Sequence, residues 1–180
     1  MRKLTHREIA QGRHTPGELA GMGRFPIYAI LDDIRSLYNV GSIFRTADGA
    51  RLSRLILAGF TPAPPRREIE KTALGATATV PWEHVRDPLA AIAALKCRGV
   101  KICLVEHTDG SRPYDSLRAE DLPLCLVVGN EIRGVRKEIV DAADMAVDIP
   151  MYGMKQSLNA AVAFGIVAFA CARIAAGRNG

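Results

Sequence analysis

Five short apolar runs, separated by stretches of helical character, constrain this chain more than any other feature of it. Ile27–Leu31, Arg54–Gly59, Val100–Val105, Leu124–Val128 and Met145–Ile149 are rich in aliphatic and β-branched residues. They run nearly unbroken instead of alternating with polar residues, which predicts strands buried on both faces. Helical candidates fill the gaps at Val40–Arg51, Pro88–Arg98 and Val135–Ala143. A last helix, from about Ser157 to Ala175, is apolar on nearly every side. Strands alternating with helices predict an α/β protein, a parallel sheet covered by helices on both faces.

At 180 residues the chain has the size of one domain and can bury a core without disulfides or a metal. With 48% hydrophobic and 24% charged residues, it is not a disordered chain. The net charge of +5 tilts it toward anionic partners, nucleic acid among them. Residues 1–24 form a basic N-terminal arm carrying Arg2, Lys3, Arg7, Arg13 and Arg24 against Glu8 and Glu18, ahead of a single domain over 25–180. A second basic stretch, Thr61 to Arg67, is stiffened by prolines and ends on Arg66 and Arg67. A solvated terminus and an ordinary surface loop are the plain alternatives.

The start of the chain lacks the apolar run of a signal peptide. The longest apolar stretch, Ala160–Ala172, spans 13 residues, short of the ~20 that cross a membrane. The expected setting is the cytoplasm, with no membrane. Cys97, Cys103, Cys125 and Cys171 show no CxxC pairing, so four buried thiols and no metal are expected.

Glycine-rich dinucleotide and P-loop signatures are absent. Three segments after strands stand out instead. In the first, Asn39-Val40-Gly41-Ser42-Ile43-Phe44-Arg45-Thr46-Ala47, Asn39 could cap a helix and Arg45 would project about two turns in. The second is Gly129-Asn130-Glu131-Ile132-Arg133-Gly134, at the strand end where open α/β sheets bind ligands. The third, Ile149-Pro150-Met151 through Ser157-Leu158-Asn159, leads into a small-residue helix. Taken singly, each also reads plainly: a solvated arginine, a Gly/Asn turn, and a core helix capped by Ser157.

In this order the three segments resemble the motifs of the SpoU (TrmH-type) RNA ribose 2′-O-methyltransferases, a branch of the SPOUT superfamily. Lys71-Thr72-Ala73-Leu74-Gly75-Ala76 and Val80-Pro81-Trp82 resemble its linking segment, so the likeness spans Pro26 to about Arg173. The resemblance implies a deep C-terminal trefoil knot, a homodimer, and S-adenosylmethionine as cofactor. It implies cofactor-binding positions at Val128, Gly129, Asn130, Glu131, Ile149, Met151, Ser157 and Leu158, with Glu106 added because it ends the preceding strand. Gly129 is expected to let the cofactor approach the backbone.

Arg45 is then the central catalytic residue, with Asn39, Glu131, Ser157 and Asn159 around it. A guanidinium stays protonated and is a poor base, so Arg45 is expected to grip an RNA phosphate and stabilise the developing alkoxide, oriented by Glu131. Arg2, Lys3, Arg7, Arg13, Arg24, Arg66 and Arg67 would supply further RNA phosphate contacts. The substrate is tRNA or rRNA, and both stay open. The competing readings are a base-methylating enzyme of the same superfamily, a catalytically silent RNA-binding module, and an adenosine-nucleotide-binding metabolic enzyme.

Overall fold

A computed structural model describes residues 1–12 and 14–177; Arg13 lies outside them. The elements in chain order are α1 (His6–Gln11), α2 (Pro16–Gly21), β1 (Phe25–Asp32), α3 (Leu37–Gly49), β2 (Leu52–Ala58), α4 (Arg67–Ala73) and β3 (Trp82–Val85). They continue with α5 (Pro88–Lys96), β4 (Lys101–Val105), β5 (Arg112–Pro113), β6 (Leu124–Val128), α6 (Lys137–Ala142), β7 (Met145–Asp148) and α7 (Ala160–Gly177). The strands form one sheet in the order β3-β2-β1-β6-β4-β7-β5, every neighbouring pair parallel.

All five expected strands form. The two additional ones, β3 and β5, sit at the sheet edges, where half-buried polar sequence such as Trp82-Glu83-His84-Val85 suffices. Side chains alternate across the sheet as the pleat requires. Ile27, Ala29 and Leu31 of β1 and Leu124, Leu126 and Val128 of β6 join one core with α3, α4 and α7. Ile30, Cys125 and Val127 join the other, under α5 and α6. Phe44 and Phe164, both fully buried, anchor α3 and α7 to the first face, each worth about 1.5–3 kcal/mol of transfer free energy. Gly41 lets α3 touch α4, since a Cβ there would stand 2.3 Å from the Ile69 carbonyl oxygen.

Helix starts depart from the sequence reading. Ser36 caps α3, its hydroxyl accepting from the Asn39 N–H at 3.3 Å, so Asn39 lies inside the first turn. The last helix begins at Ala160, not Ser157. Its cap is Asn159, whose Oδ1 accepts from the Ala161 N–H at 3.0 Å, and Ser157 stays in the preceding loop. The N-terminal arm carries two short helices, each opened by a Thr-x-x-Glu capping box, Thr5 with Glu8 and Thr15 with Glu18. Cys97 is exposed at the end of α5; the other three thiols are buried. By length and composition α7 could cross a membrane, but Phe164, Val167, Ala168 and Cys171 bury its inner side on the sheet.

Candidate functional site

The carboxyl ends of β4, β6 and β7 open onto a cleft of about 320 Å³. Open parallel sheets bind ligands at such ends, because the loops leaving neighbouring strands diverge there. All nine positions singled out for cofactor binding line it: Glu106 after β4, Val128–Glu131 after β6, and Ile149, Met151, Ser157 and Leu158 after β7. Val128, Ile149, Met151 and Leu158 give it apolar walls, and Asn159 stands at its border.

The loop after β6 is folded by its own side chain. Asn130 Oδ1 accepts from the N–H groups of Ile132 and Arg133 at 3.0 and 3.1 Å, and its Nδ2 donates to the Asp33 carbonyl at 2.7 Å. Gly129 serves this loop's closure: a Cβ would lie 2.3 Å from Val135 N and 2.5 Å from Gly134 O. Its bareness thus admits the chain's own backbone, which corrects the reading that assigned the space to a ligand. Gly134, at φ +69°, is held likewise, with Glu106 Oε2 2.5 Å from its would-be Cβ. Glu106 accepts from the N–H groups of Val135 and His107 at 3.2 and 3.0 Å, tying the β4 and β6 loops together. Beneath the loop Arg136 forms a bidentate pair with the fully buried Asp32.

Glu131 joins the three motifs. Its carboxylate accepts from the N–H groups of Arg35 and Ser36 at 2.9 and 3.1 Å and from Asn39 Nδ2 at 2.9 Å. Asn39 Oδ1 accepts in turn from Asn159 Nδ2 at 3.1 Å. Burial pushes the Glu131 carboxyl up, but the combined hydrogen bonds from Arg35, its own N–H, Asn39 and Ser36 outweigh it and hold it below its ordinary value. The N-terminus of α3 adds partial positive charge beside it.

Arg45 does not join this group. It is exposed on α3 and lines a second hollow, of about 600 Å³, with Arg24, Arg51, Asp48, and His14, Leu19 and Met22 of the arm. The expectation that Glu131 orients Arg45 is therefore corrected: Glu131 holds Asn39 and the start of α3. Among the other basic candidates, Lys3, Arg7, Arg66 and Arg67 are exposed, while Arg2 pairs with Glu8 at 2.5 Å. Arg24 is occupied by the carbonyls of Leu52 and Thr79 at 3.1 and 2.5 Å, which makes it a fastening of the arm.

His107 was not foreseen. It lines the cleft, and its Nε2 lies 3.1 Å from the Gln156 carbonyl, which pins the segment before Ser157. Its only signal in the sequence is its place next to Glu106. Among the described residues, no group of three His, Cys, Asp or Glu is placed to hold a metal ion.

The model of the SpoU rRNA Methylase family matches residues 26–169. A tRNA (guanosine(18)-2′-O)-methyltransferase of Aquifex aeolicus is 35% identical over 146 residues, covering 79% of this chain and 66% of that protein. A 23S rRNA (guanosine-2′-O-)-methyltransferase of Vibrio parahaemolyticus is 31% identical over 149 residues, covering 82% and 59%. The chain thus spans less than two-thirds of the length of these relatives. The crystal structure of an A. aeolicus TrmH/SpoU tRNA modifying enzyme superposes with a TM-score of 0.78 at 30% identity, covering 87% of this chain and 78% of that one. An AdoMet-bound rRNA methyltransferase from Sinorhizobium meliloti gives 0.77 at 31% identity, covering 89% and 61%.

Proposed function

The chain belongs to the SpoU rRNA methylase family, and on that premise we propose that it transfers a methyl group from S-adenosylmethionine to a ribose 2′-hydroxyl of tRNA or rRNA. The observation that carries this reading is the convergence of the second and third motifs on one cleft, with Asn39 of the first hydrogen-bonded to Glu131 and Asn159 on its lining. Relatives 35% and 31% identical to this chain are named for guanosine 2′-O-methylation.

The cleft fits the cofactor. Its volume falls in the range of small-molecule sites, about 300–1,000 Å³. Val128, Ile149, Met151 and Leu158 offer apolar faces for a purine, and Glu106 and Glu131 offer carboxylate oxygens for hydroxyl or cationic groups. When bound, S-adenosylmethionine supplies an electrophilic methyl group on a sulfonium. The protein's part is to align the hydroxyl and stabilise charge. Asn39 and Asn159, rigidified by their mutual bond and by Glu131, would orient the reacting ribose. Arg45 would hold an RNA phosphate and steady the alkoxide as it forms.

Arg45 faces the second hollow, not the cleft of its own chain, so this role requires a second subunit. The outer stripe of α7 supports a homodimer: Leu158, just before it, and Val162 and Phe169 are 37%, 51% and 52% exposed. The trefoil knot that goes with the family belongs to the same proposal.

Two measurements test the function. Incubation with methyl-labelled S-adenosylmethionine and unmodified tRNA or rRNA, followed by nucleoside mass spectrometry, should reveal a 2′-O-methylnucleoside. Label found on a base would reassign the reaction, and RNA binding without transfer would leave a silent module. Calorimetry should show one S-adenosylhomocysteine per chain, with binding unchanged by EDTA.

A further inference from the structure

Phe60 projects from the end of β2 with 91% of its surface exposed. A lone exposed apolar side chain is ordinary; the framework holding this one is not. Its N–H donates to Asp33 Oδ1 at 2.7 Å. Gly59, at φ +63°, approaches the same carboxylate so closely that a Cβ would lie 2.1 Å from Oδ1. On its other side Thr61 is buried, its hydroxyl donating to the Leu31 carbonyl at 2.8 Å and accepting from the Ile34 N–H at 3.1 Å. Ala63 packs on the core. The backbone on either side of Phe60 is thus fastened to the sheet while its ring is held in solvent.

The surroundings say what such a ring can receive. Arg66, which ends the same loop, and Arg67, which opens α4, are exposed, and Arg35 is exposed beyond Asp33. Asp33 also accepts from Asn130 Nδ2, so one residue links the Phe60 loop to the cleft loop. A fixed aromatic face on a loop bordered in sequence by exposed arginines matches a nucleobase with its phosphates: the ring takes the π-face, the arginines take the charge.

We infer that Phe60 is a stacking platform for an unpaired base of the RNA, placed beside the nucleotide that enters the cleft. The inference rests on the proposed function and adds a residue and a mode of contact to it. Stacking on an aromatic side chain is tolerant of sequence, so the platform would hold the strand without selecting it.

The test uses the whole chain and a single-stranded RNA of about 12 nucleotides, within the span such sites cover. Phe60→Leu keeps the bulk and loses the π-face; Phe60→Trp keeps both. Phe60→Leu should weaken binding about 5- to 150-fold, the range seen for loss of one base stack. Phe60→Trp should bind like the parent, with its fluorescence quenched by RNA. Neither change should alter the salt dependence, because no phosphate contact is removed, whereas Arg66→Ala with Arg67→Ala should flatten it. S-adenosylhomocysteine affinity should stay at the parental value throughout. Parental RNA affinity in Phe60→Leu overturns the inference and leaves the proposed function standing. So does a fall in molar mass with RNA binding unchanged, which would assign the ring to a contact between subunits. A parent chain that binds no RNA defeats the proposed function itself.

Discussion

The Asn159 side-chain amide donates to Asn39 Oδ1 at 3.1 Å, across 120 positions of sequence. Asn39 has only one other side-chain group, its Nδ2, and that is given to Glu131. The starts of α3 and α7 and the loop after β6 are therefore held by a short relay in which each side chain fixes the next. A relay of this kind responds to deletion of any one member as a unit.

Glu131 should reveal the relay through pH. Its carboxyl is held below the ordinary value of 4.5 in the folded protein, because four hydrogen bonds together outweigh the opposing effect of burial. A depressed carboxylate contributes stability that is complete above its unfolded value and is lost as pH falls through its folded value. Glu131→Gln should accordingly lower Tm at pH 7, and the gap to the parent should close below about pH 4.5. Thermal melts of both proteins across that range check it; a gap that is constant with pH rejects the assignment.

Arg45 calls for a substitution that keeps its charge. Arg45→Lys retains the cation and loses the planar fork that grips a phosphate in two places. Both Arg45→Lys and Arg45→Ala should reduce methyl transfer by a factor on the order of 100, typical of removing one pre-organised donor. S-adenosylhomocysteine affinity should hold, since Arg45 lines a different hollow. Transfer by Arg45→Ala at the parental rate would return the residue to a solvated helix face.

Subunit association should depend on the outer stripe of α7. Phe169 lies over Gly49 of α3, its Cζ 3.3 Å from where a Cβ on that glycine would stand, and half of its surface is open. Phe169→Glu places a charge within the stripe. Light scattering should give twice 19.5 kDa for the parent and 19.5 kDa for the variant. A monomeric parent at micromolar concentration removes the dimer from the mechanism.

Gly129→Ala should disturb the cleft without touching a chemical group. The added methyl meets backbone atoms of Gly134 and Val135 at 2.3–2.5 Å, so the loop must move. Overpacking of this kind costs about 1–3 kcal/mol. The measurable results are a lower Tm and weaker S-adenosylhomocysteine binding; an unchanged protein would show that the loop yields freely.

The cysteines offer a check on packing. Burial pushes the thiols of Cys103 and Cys171 up to about 12 and raises Cys125 as well, while Cys97 is exposed. Titration of the native protein with an aromatic disulfide should find one fast thiol per chain, abolished in Cys97→Ser. Three further thiols should appear only in denaturant.

The strands were legible because a run such as Leu124–Val128 can be satisfied only by burial on both faces. β3 escaped because Glu83 and His84 are tolerated at a sheet edge. The cleft was legible because the second and third motifs follow strand ends, and parallel strands bring those ends together. Which oxygen meets which amide was not. Ser36 and Asn39 are both good caps three residues apart; the Ser36 hydroxyl takes the Asn39 N–H, and the Asn39 amide is given to Glu131 instead. Cys97 looks like its three buried counterparts in composition, yet it falls where α5 runs out into solvent. Arg45 was identified from its motif, but the direction it faces depends on how α3 lies against α7.

The position of α7 in the chain has a consequence for biosynthesis. It is made after every strand, yet Phe164, Val167 and Ala168 belong to the same core as Leu31 and Leu126. Until the ribosome has released about residue 170, that face of the sheet has no cover and the cleft has no Asn159 at its border. A nascent chain therefore has a sticky interval before α7 emerges, in which holdase chaperones would find their substrate. Truncations within α7 should fail by aggregation before they fail by lost chemistry.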